Sequence, residues 1–295
     1  MNKNKGLLSK KCCPQLPFRK VTHVIFDLDG TIIDTETMIE EVLTEICQSC
    51  GKTFKPELHN KTAGAIVEDI AKLLINENDL TMSEEEIVQM YKDLTPSKCA
   101  NINFMPVPVQ GAEQLIRHFA EHQVPIAVAT SSTEDLMLLK TNRHREVFNL
   151  FHHIVCGGSD PEVKKGKPAP DIFLVCASRF NDNVNPADCL VLEDAPNGVK
   201  GALTAGMQAV IIPADDVPYE IWKNATLRLD TLEYMAPELF GLPPLVTEGS
   251  AVPKISFTMH YEEGKQREET HGTNVEEELG VKGWPALSIS ADDTV

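Results

Sequence analysis

Thr22-His23-Val24-Ile25-Phe26-Asp27-Leu28-Asp29-Gly30-Thr31 is the stretch on which the reading of the whole chain turns. His23 to Phe26 is apolar almost throughout rather than alternating, as expected of a strand covered by helices on both faces. It delivers two carboxylates, Asp27 and Asp29, two residues apart. In extended backbone both side chains share one face, and Gly30 lets the chain turn tightly behind them so that the two acids converge. Two acids that close repel, which implies a cation, a shared proton or both. Taken alone, the string equally describes a turn that solvates two acids.

Working outward, similar β-rich runs recur at Pro125 to Thr130, His152 to Cys156, Cys189 to Leu192 and Ala209 to Pro213. Helical periods of three to four lie between them, at Ala112 to His122, Glu134 to Asn142, Asp171 to Phe180 and Asn197 to Ala205. Alternation of this kind gives an α/β fold, a Rossmann-like parallel sheet with helices on both faces. One gap is too long. About a hundred residues separate the first strand from the second, where a dozen or so suffice for a crossover. Inside it, Ile39, Val42, Leu43, Ile46 and Cys50 follow a helical spacing that stops at Gly51, and Ile66, Ile70, Leu73 and Leu74 follow another. Ser83 and Glu86 form a capping box that opens a further helix. The expected organisation is a flexible basic arm at 1–20, an α/β core at 21–35 and 104–245, a small helical insert at 36–103, and a disordered acidic tail at 246–295.

The chain carries 27 basic and 44 acidic side chains, a net charge of −17, which opposes attraction to nucleic acid or anionic lipid. Nucleic-acid and membrane partners are therefore not expected. No apolar run is long enough to span a bilayer, and the N-terminus lacks the apolar segment of a secretory signal, so the expected compartment is the cytoplasm. A protein partner for the acidic tail is conceivable on composition but has no motif behind it. The eight cysteines mostly lie in apolar, periodic segments and read as buried free thiols. Cys47-x-x-Cys50 has no second ligand pair and sits in a helix.

Three further sites follow, two of them at the carboxyl ends of predicted strands, the edge where such sheets bind ligands, and one in a loop. Thr130-Ser131-Ser132 ends the second strand with hydroxyls and amides suited to a phosphate, although Ser132 or Thr133 serves as well to cap the next helix. Lys167 lies in Gly166-Lys167-Pro168-Ala169-Pro170, a stiffened loop, where a solvated lysine is the plain alternative. Glu193-Asp194 ends a buried strand with oxygen donors that suit Mg²⁺, with helix capping as the alternative for Asp194.

The conjunction of acid pair, hydroxyl, lysine and second acid pair, in this order, resembles the haloacid dehalogenase superfamily of phosphohydrolases. The matching positions are Asp27-x-Asp29-x-Thr31, Thr130, Lys167 and Glu193-Asp194, and the insert resembles that superfamily's type 1 cap. Lys140-Thr141-x-Arg143-His144, Glu193-Asp194-Ala195-Pro196-Asn197-Gly198 and Glu238-Leu239-Phe240-Gly241-Leu242-Pro243 resemble its pseudouridine-5′-phosphatase branch in particular. The resemblance implies Asp27 as nucleophile and Asp29 as general acid and base, protonated at the outset by its closeness to Asp27. It further implies that Thr130, Ser131 and Lys167 hold the phosphoryl group, and that Mg²⁺ is held by Asp27, Asp29 through its backbone carbonyl, Glu193 and Asp194. The implied substrate is a small phosphomonoester, foremost pseudouridine 5′-phosphate. Asn60, Lys61, Thr62 and Glu68, around Ala63-Gly64-Ala65, are the groups expected to meet its base. Another nucleotide or sugar monophosphate is the alternative. An acid at position 29 marks chemistry in which an alkoxide leaves, so a phosphatase or a β-phosphoglucomutase-like enzyme is implied. The mutases resemble Gly-x-x-Arg in the cap, where this chain has Gly64-Ala65-Ile66-Val67. Thr133-Glu134 is a second departure, since a basic residue is expected there. A non-catalytic relative is expected to have lost at least one of Asp27, Asp29, Lys167 or Asp194, and all four are present.

Overall fold

The computed structural model describes residues 18–100, 107–213, 219–245, 256–260 and 286–290. Its central strand is β1 (His23–Phe26), followed by a two-residue strand β2 (Ile33–Asp34). Then come four helices, α1 (Glu36–Ser49), α2 (His59–Thr62), α3 (Val67–Glu77) and α4 (Glu84–Ala100). The chain returns through β3 (Val107–Pro108) and α5 (Ala112–Glu121) to β4 (Ile126–Thr130), α6 (Glu134–Thr141), α7 (Arg145–Phe148) and β5 (His153–Cys156). It continues with α8 (Asp171–Ser178), β6 (Cys189–Glu193), α9 (Pro196–Thr204), β7 (Gln208–Ile211), α10 (Tyr219–Trp222) and β8 (Leu227–Leu229).

The parallel sheet runs β5-β4-β1-β6-β7-β8, so β1 lies between β4 and β6. Strand order reverses beside β1, and the crevice at the carboxyl ends of β4, β1 and β6 is where such sheets bind ligands. Alternation along β1 feeds two separate cores. Val24 and Phe26 pack with Leu115, Ile116 and Phe119 of α5 on one face, and Ile25 packs with Ile172, Phe173 and Val199 on the other. The expected α/β class and its five core strands agree with the structure.

A third core holds three helices of the insert together, with Val42, Leu43 and Ile46 of α1, Ile70 and Leu74 of α3, and Ile87 and Tyr91 of α4. Leu136 of α6 joins this cluster from the other side, so the insert is seated on the helix that follows β4. The capping box forms as expected: the Ser83 amide donates to Glu86 Oε2 at 2.8 Å, and the Glu86 amide to Ser83 Oγ at 3.2 Å.

The tail expectation needs correction in two places. Ser256–His260 (β9) and Ala286–Ser290 (β10) are strands, β10 running parallel to β8 and β9 antiparallel to β10. Both sequences alternate, with Phe257 and Met259 in one and Leu287 and Ile289 in the other, a period of two hidden by the acidic average of the tail. They add backbone partners to the edge that β8 would leave open. The rest of the tail, and all but the last residues of the basic arm, lie outside the described residues, as do Cys12 and Cys13. The six described cysteines are free. Among the described residues no helix is long and apolar enough to cross a membrane.

Candidate active site

Register puts the acids together. Phe26 pairs with Leu192 across β1 and β6, and the Asp27 amide donates to the Leu192 carbonyl at 2.9 Å, so Asp27 and Glu193 leave adjacent strands at one level. Carboxylate oxygens of Asp27, Glu193 and Asp194, all three residues buried, lie within 4.8 Å of one another. Two glycines make the approach sterically possible. A Cβ on Gly30, whose φ is +86°, would fall 2.2 Å from Asp194 Oδ2, and one on Gly198 would fall 1.7 Å from Glu193 Oε1. Thr31 Oγ1 donates to Asp194 Oδ1 at 3.3 Å, and the Ala195 amide to Glu193 Oε2 at 3.0 Å.

Into this group comes Lys167, whose side chain is fully buried. Its Nζ donates to Asp27 Oδ1, to Glu193 Oε1 at 2.6 Å and to the Ala129 carbonyl at 3.1 Å. Burial alone would lower the lysine, but the carboxylates of Asp27 and Glu193 outweigh it and keep it protonated. Three acids still face a single ammonium. Burial, helped by Glu193 and Asp29 and opposed by Lys167, pushes Asp27 up to about 8. Burial and then repulsion from Glu193 and Asp27 push Asp194 well above the ordinary carboxylate range. Acids driven toward protonation in a polar, oxygen-only cluster suit a hard divalent cation such as Mg²⁺, and the three residues fit one.

Asp29 lies apart from that cluster and is saturated with donors. Its Oδ1 accepts from Lys140 Nζ at 2.7 Å and Thr35 Oγ1 at 2.8 Å, and its Oδ2 from Ser132 Oγ at 3.0 Å and Thr130 Oγ1 at 3.4 Å. Burial alone would raise its carboxyl, but Lys140, then Thr35 and Ser132, hold it below the usual range. This differs from the expectation of a protonated Asp29, because the ammonium of Lys140 is nearer in effect than the charge of Asp27. Its side chain is not in the acid cluster, so any part in metal binding falls to its backbone carbonyl.

The other expected residues divide. Thr130 Oγ1 accepts from the Ser132 amide at 3.1 Å and donates to Asp29 Oδ2, whereas the Ser131 hydroxyl donates to the Gly64 carbonyl of the insert at 2.8 Å, so that the expected phosphate contact of Ser131 falls to its amide rather than its hydroxyl. Capping of α6 falls to Thr133, whose Oγ1 accepts from the Leu136 amide at 3.5 Å. Asp194 does not cap α9, whose N-cap is Ala195. Thr35 had no part in the sequence reading, Lys140 stood there only within Lys140-Thr141-x-Arg143-His144, and Ser132 only as a hydroxyl of the phosphate string and an alternative helix cap.

Between the helical insert and the sheet edge lies a cleft of about 890 Å³ with its open mouth included. Asp27, Asp29 and Asp194 form its floor, and Phe54, His59, Val67, Glu68 and Tyr91 contribute from the insert. The expected base contacts change accordingly. Lys61 pairs with Glu77 and is not among the lining residues, whereas Thr62 lines the cleft although its Oγ1 donates to the carbonyls of its own turn, Leu58 at 3.1 Å and His59 at 3.0 Å. Glu68 stays at the cleft, and the Asn60 side chain lies outside the described set.

Comparison with known proteins agrees with this geometry. A family profile of haloacid dehalogenase-like hydrolases matches residues 24–212. A probable pseudouridine-5′-phosphatase of Drosophila melanogaster is 45% identical over 225 residues, covering 76% of this chain and 96% of that protein. The (DL)-glycerol-3-phosphatase 1, mitochondrial, of Arabidopsis thaliana is 41% identical over 230 residues, covering 76% and 74%. Among solved structures, a β-phosphoglucomutase from Clostridium difficile superposes with a TM-score of 0.62 at 24% identity, covering 74% of this chain and 94% of that one, a likeness of fold.

Proposed function

Because the chain belongs to the haloacid dehalogenase-like hydrolases, we propose that it is a Mg²⁺-dependent phosphomonoesterase that works through an aspartyl phosphate on Asp27. The observation that carries this reading is the buried convergence of Asp27, Glu193, Asp194 and Lys167 beside a separately held Asp29. One carboxyl is built to attack and another to move protons.

In the first half-reaction an Asp27 carboxylate oxygen attacks phosphorus, the bond from phosphorus to the leaving alcohol breaks, and Asp29, ionised in the free enzyme, delivers to that oxygen a proton it has taken up from water or from the phosphate monoanion as substrate binds. In the second, Asp29 takes a proton from water, the water attacks phosphorus, and inorganic phosphate departs from Asp27. Thr130 and the Ser131 amide hold phosphoryl oxygens, and Lys167 supplies positive charge where charge is transferred. Mg²⁺, held by Asp27, Glu193, Asp194 and the Asp29 carbonyl, would supply neutralisation of the phosphoryl charge that otherwise repels Asp27.

For the substrate we propose pseudouridine 5′-phosphate, supported by identity to the Drosophila protein along nearly its full length. Glycerol phosphate is the rival that the Arabidopsis relative brings. The mutase reading, which needs a cationic grip on a second phosphate, finds Val67 at the cleft and the acids Glu36, Glu40 and Glu68 around it. Such a lining favours an uncharged, hydroxyl-bearing leaving group.

The test is phosphate release across pseudouridine 5′-phosphate, uridine 5′-phosphate, glycerol 3-phosphate and β-glucose 1-phosphate with Mg²⁺, with Asp27→Asn as control. The variant is expected to lose at least roughly a thousandfold in turnover. Near-normal turnover by Asp27→Asn refutes the mechanism. A higher kcat/KM for one of the other esters refutes the substrate assignment alone.

A further inference from the structure

Lys140 is a buried cation that the reaction as described does not use. Its side chain is 2% exposed, and it sits in the last turn of α6. A lysine there ordinarily runs its stem along the surface and keeps its ammonium in water. Here the ammonium points inward, 2.7 Å from Asp29 Oδ1 and 3.0 Å from Ser132 Oγ. Tyr91 and Cys99 of α4 lie near enough to act on it from the insert, and neither is an acid that would neutralise it at ordinary pH. Asp29 is thus the carboxylate that compensates it, and burying an ammonium without such a partner is costly.

The contacts on Asp29 are unequal. Oδ1 is held by a charge-assisted bond and a short hydroxyl bond, from Lys140 and Thr35. Oδ2 has only the hydroxyls of Ser132 at 3.0 Å and Thr130 at 3.4 Å. Charge-assisted bonds are about twice as strong as neutral ones. A group that must reach a leaving oxygen therefore gives up its Oδ2 partners first and stays anchored through Oδ1. Thr130 is also the hydroxyl assigned to the phosphoryl group, so bound substrate would compete for one of those two partners.

We propose that Lys140 is a positioning residue that tethers Asp29 through Oδ1 and so makes Oδ2 the oxygen that exchanges the proton with the leaving alcohol. The inference rests on the phosphatase reading and on Asp29 as its acid. Because α6 also carries Leu136 into the core of the insert, the tether joins the proton-transfer group to the helix on which the insert is seated.

The experiment compares Lys140→Met and Lys140→Arg with wild type and Asp29→Asn on two esters, p-nitrophenyl phosphate and glycerol 3-phosphate. An aryl oxide leaves without much help from an acid, whereas an alkoxide needs the proton. The readout is kcat/KM, which covers steps only through alcohol release and is not affected by the later hydrolysis of the aspartyl phosphate. Lys140→Met is expected to lose about a hundredfold on the alkyl ester and less than about tenfold on the aryl ester, the scale of a general acid set loose. Lys140→Arg keeps the charge at a different reach and is expected to lose about tenfold on the alkyl ester alone. Aryl activity doubles as evidence that each variant is folded. Equal losses on both esters, or no loss on either, overturn the tether. If Asp29→Asn slows both esters alike, the acid role of Asp29 in the phosphatase reading has failed, and the tether with it. A selective effect of Asp29→Asn without one of Lys140→Met condemns the tether alone.

Discussion

Replacing Lys167 by methionine keeps most of the side-chain volume and removes the single ammonium among Asp27, Glu193 and Asp194. The lysine side chain and that of Glu193 are fully inaccessible, and Asp27 is 5% exposed, so water cannot take over. Removing one partner of a buried ion pair costs about 3–5 kcal/mol. For a folded unit of this size each kcal/mol moves Tm by about 2–4 °C, so the variant is expected to melt roughly 6–20 °C lower at pH 8 in EDTA. The deficit should shrink as the pH falls. Asp27 already has its folded pKa raised, to about 8, and Asp194 is raised with it, so the folded state binds protons before the unfolded one does. Their contribution is therefore whole below the unfolded value near 4 and is lost as pH rises toward the folded value. Without Lys167 both acids rise further, and protonation at pH 5 relieves the repulsion that pH 8 exposes. His23 and His153, lowered chiefly by burial, pull the other way below about pH 6.5, but they act on both proteins and cancel in the comparison. The assay is differential scanning calorimetry of both proteins from pH 5 to pH 8.5, without metal. A variant melting within 2 °C of wild type at pH 8 (about 1 kcal/mol or less), or a deficit that does not change with pH, refutes the account of the cluster.

In wild type, Mg²⁺ is expected to raise Tm, and more at pH 8 than at pH 5.5, because the cation binds deprotonated carboxylates; equal shifts at the two pH values would argue for binding elsewhere. Gly30→Ala combines a strained φ of +86° with a Cβ 2.2 Å from Asp194 Oδ2, and is expected to remove the Mg²⁺-dependent shift in Tm and lower turnover about a hundredfold or more. A normal metal shift in that variant would show that Asp194 can move without loss. Removing residues 246–295 is expected to leave kcat and KM within about twofold, since β10 adjoins β8, with β7 between it and the strands that bear the site. A steady-state assay of the truncated chain checks this, and a larger change would tie the tail to catalysis.

The sheet was legible in the sequence because its strands are buried on both faces. Each is a short apolar run, and each of the three that bear the site ends on a polar group: Phe26 before Asp27, Ala129 before Thr130, Leu192 before Glu193. Such junctions are visible without knowing the register, which only the structure supplies. Strands too short for a period, or set in a polar segment, were missed. β8 has three residues, and β2 and β3 have two each, too short for a period to show. β9 and β10 do alternate, but each is a brief island in a polar, acidic segment, and composition taken over fifty positions obscures it.

Lys140 escaped for a different reason, since its partner lies 111 positions away and helix α6 presents its faces against the usual expectation. Leu138 and Leu139 are 55% and 38% exposed, while Lys140 and Thr141 are buried with Leu136 and Met137. Hydrophobicity alone would turn the leucines inward. The spacing, however, contains the answer: positions 136, 137, 140 and 141 share one face, and on it two apolar residues are followed by a lysine and a threonine. A helix that places a cation on its buried face while leaving leucines in water has been oriented by something other than apolar burial. Here that is the carboxylate of Asp29, met at the mouth of the sheet. The polar residue on an otherwise core-facing stripe was the signal in the sequence, and it becomes readable once a strand edge rich in acids is known to lie opposite.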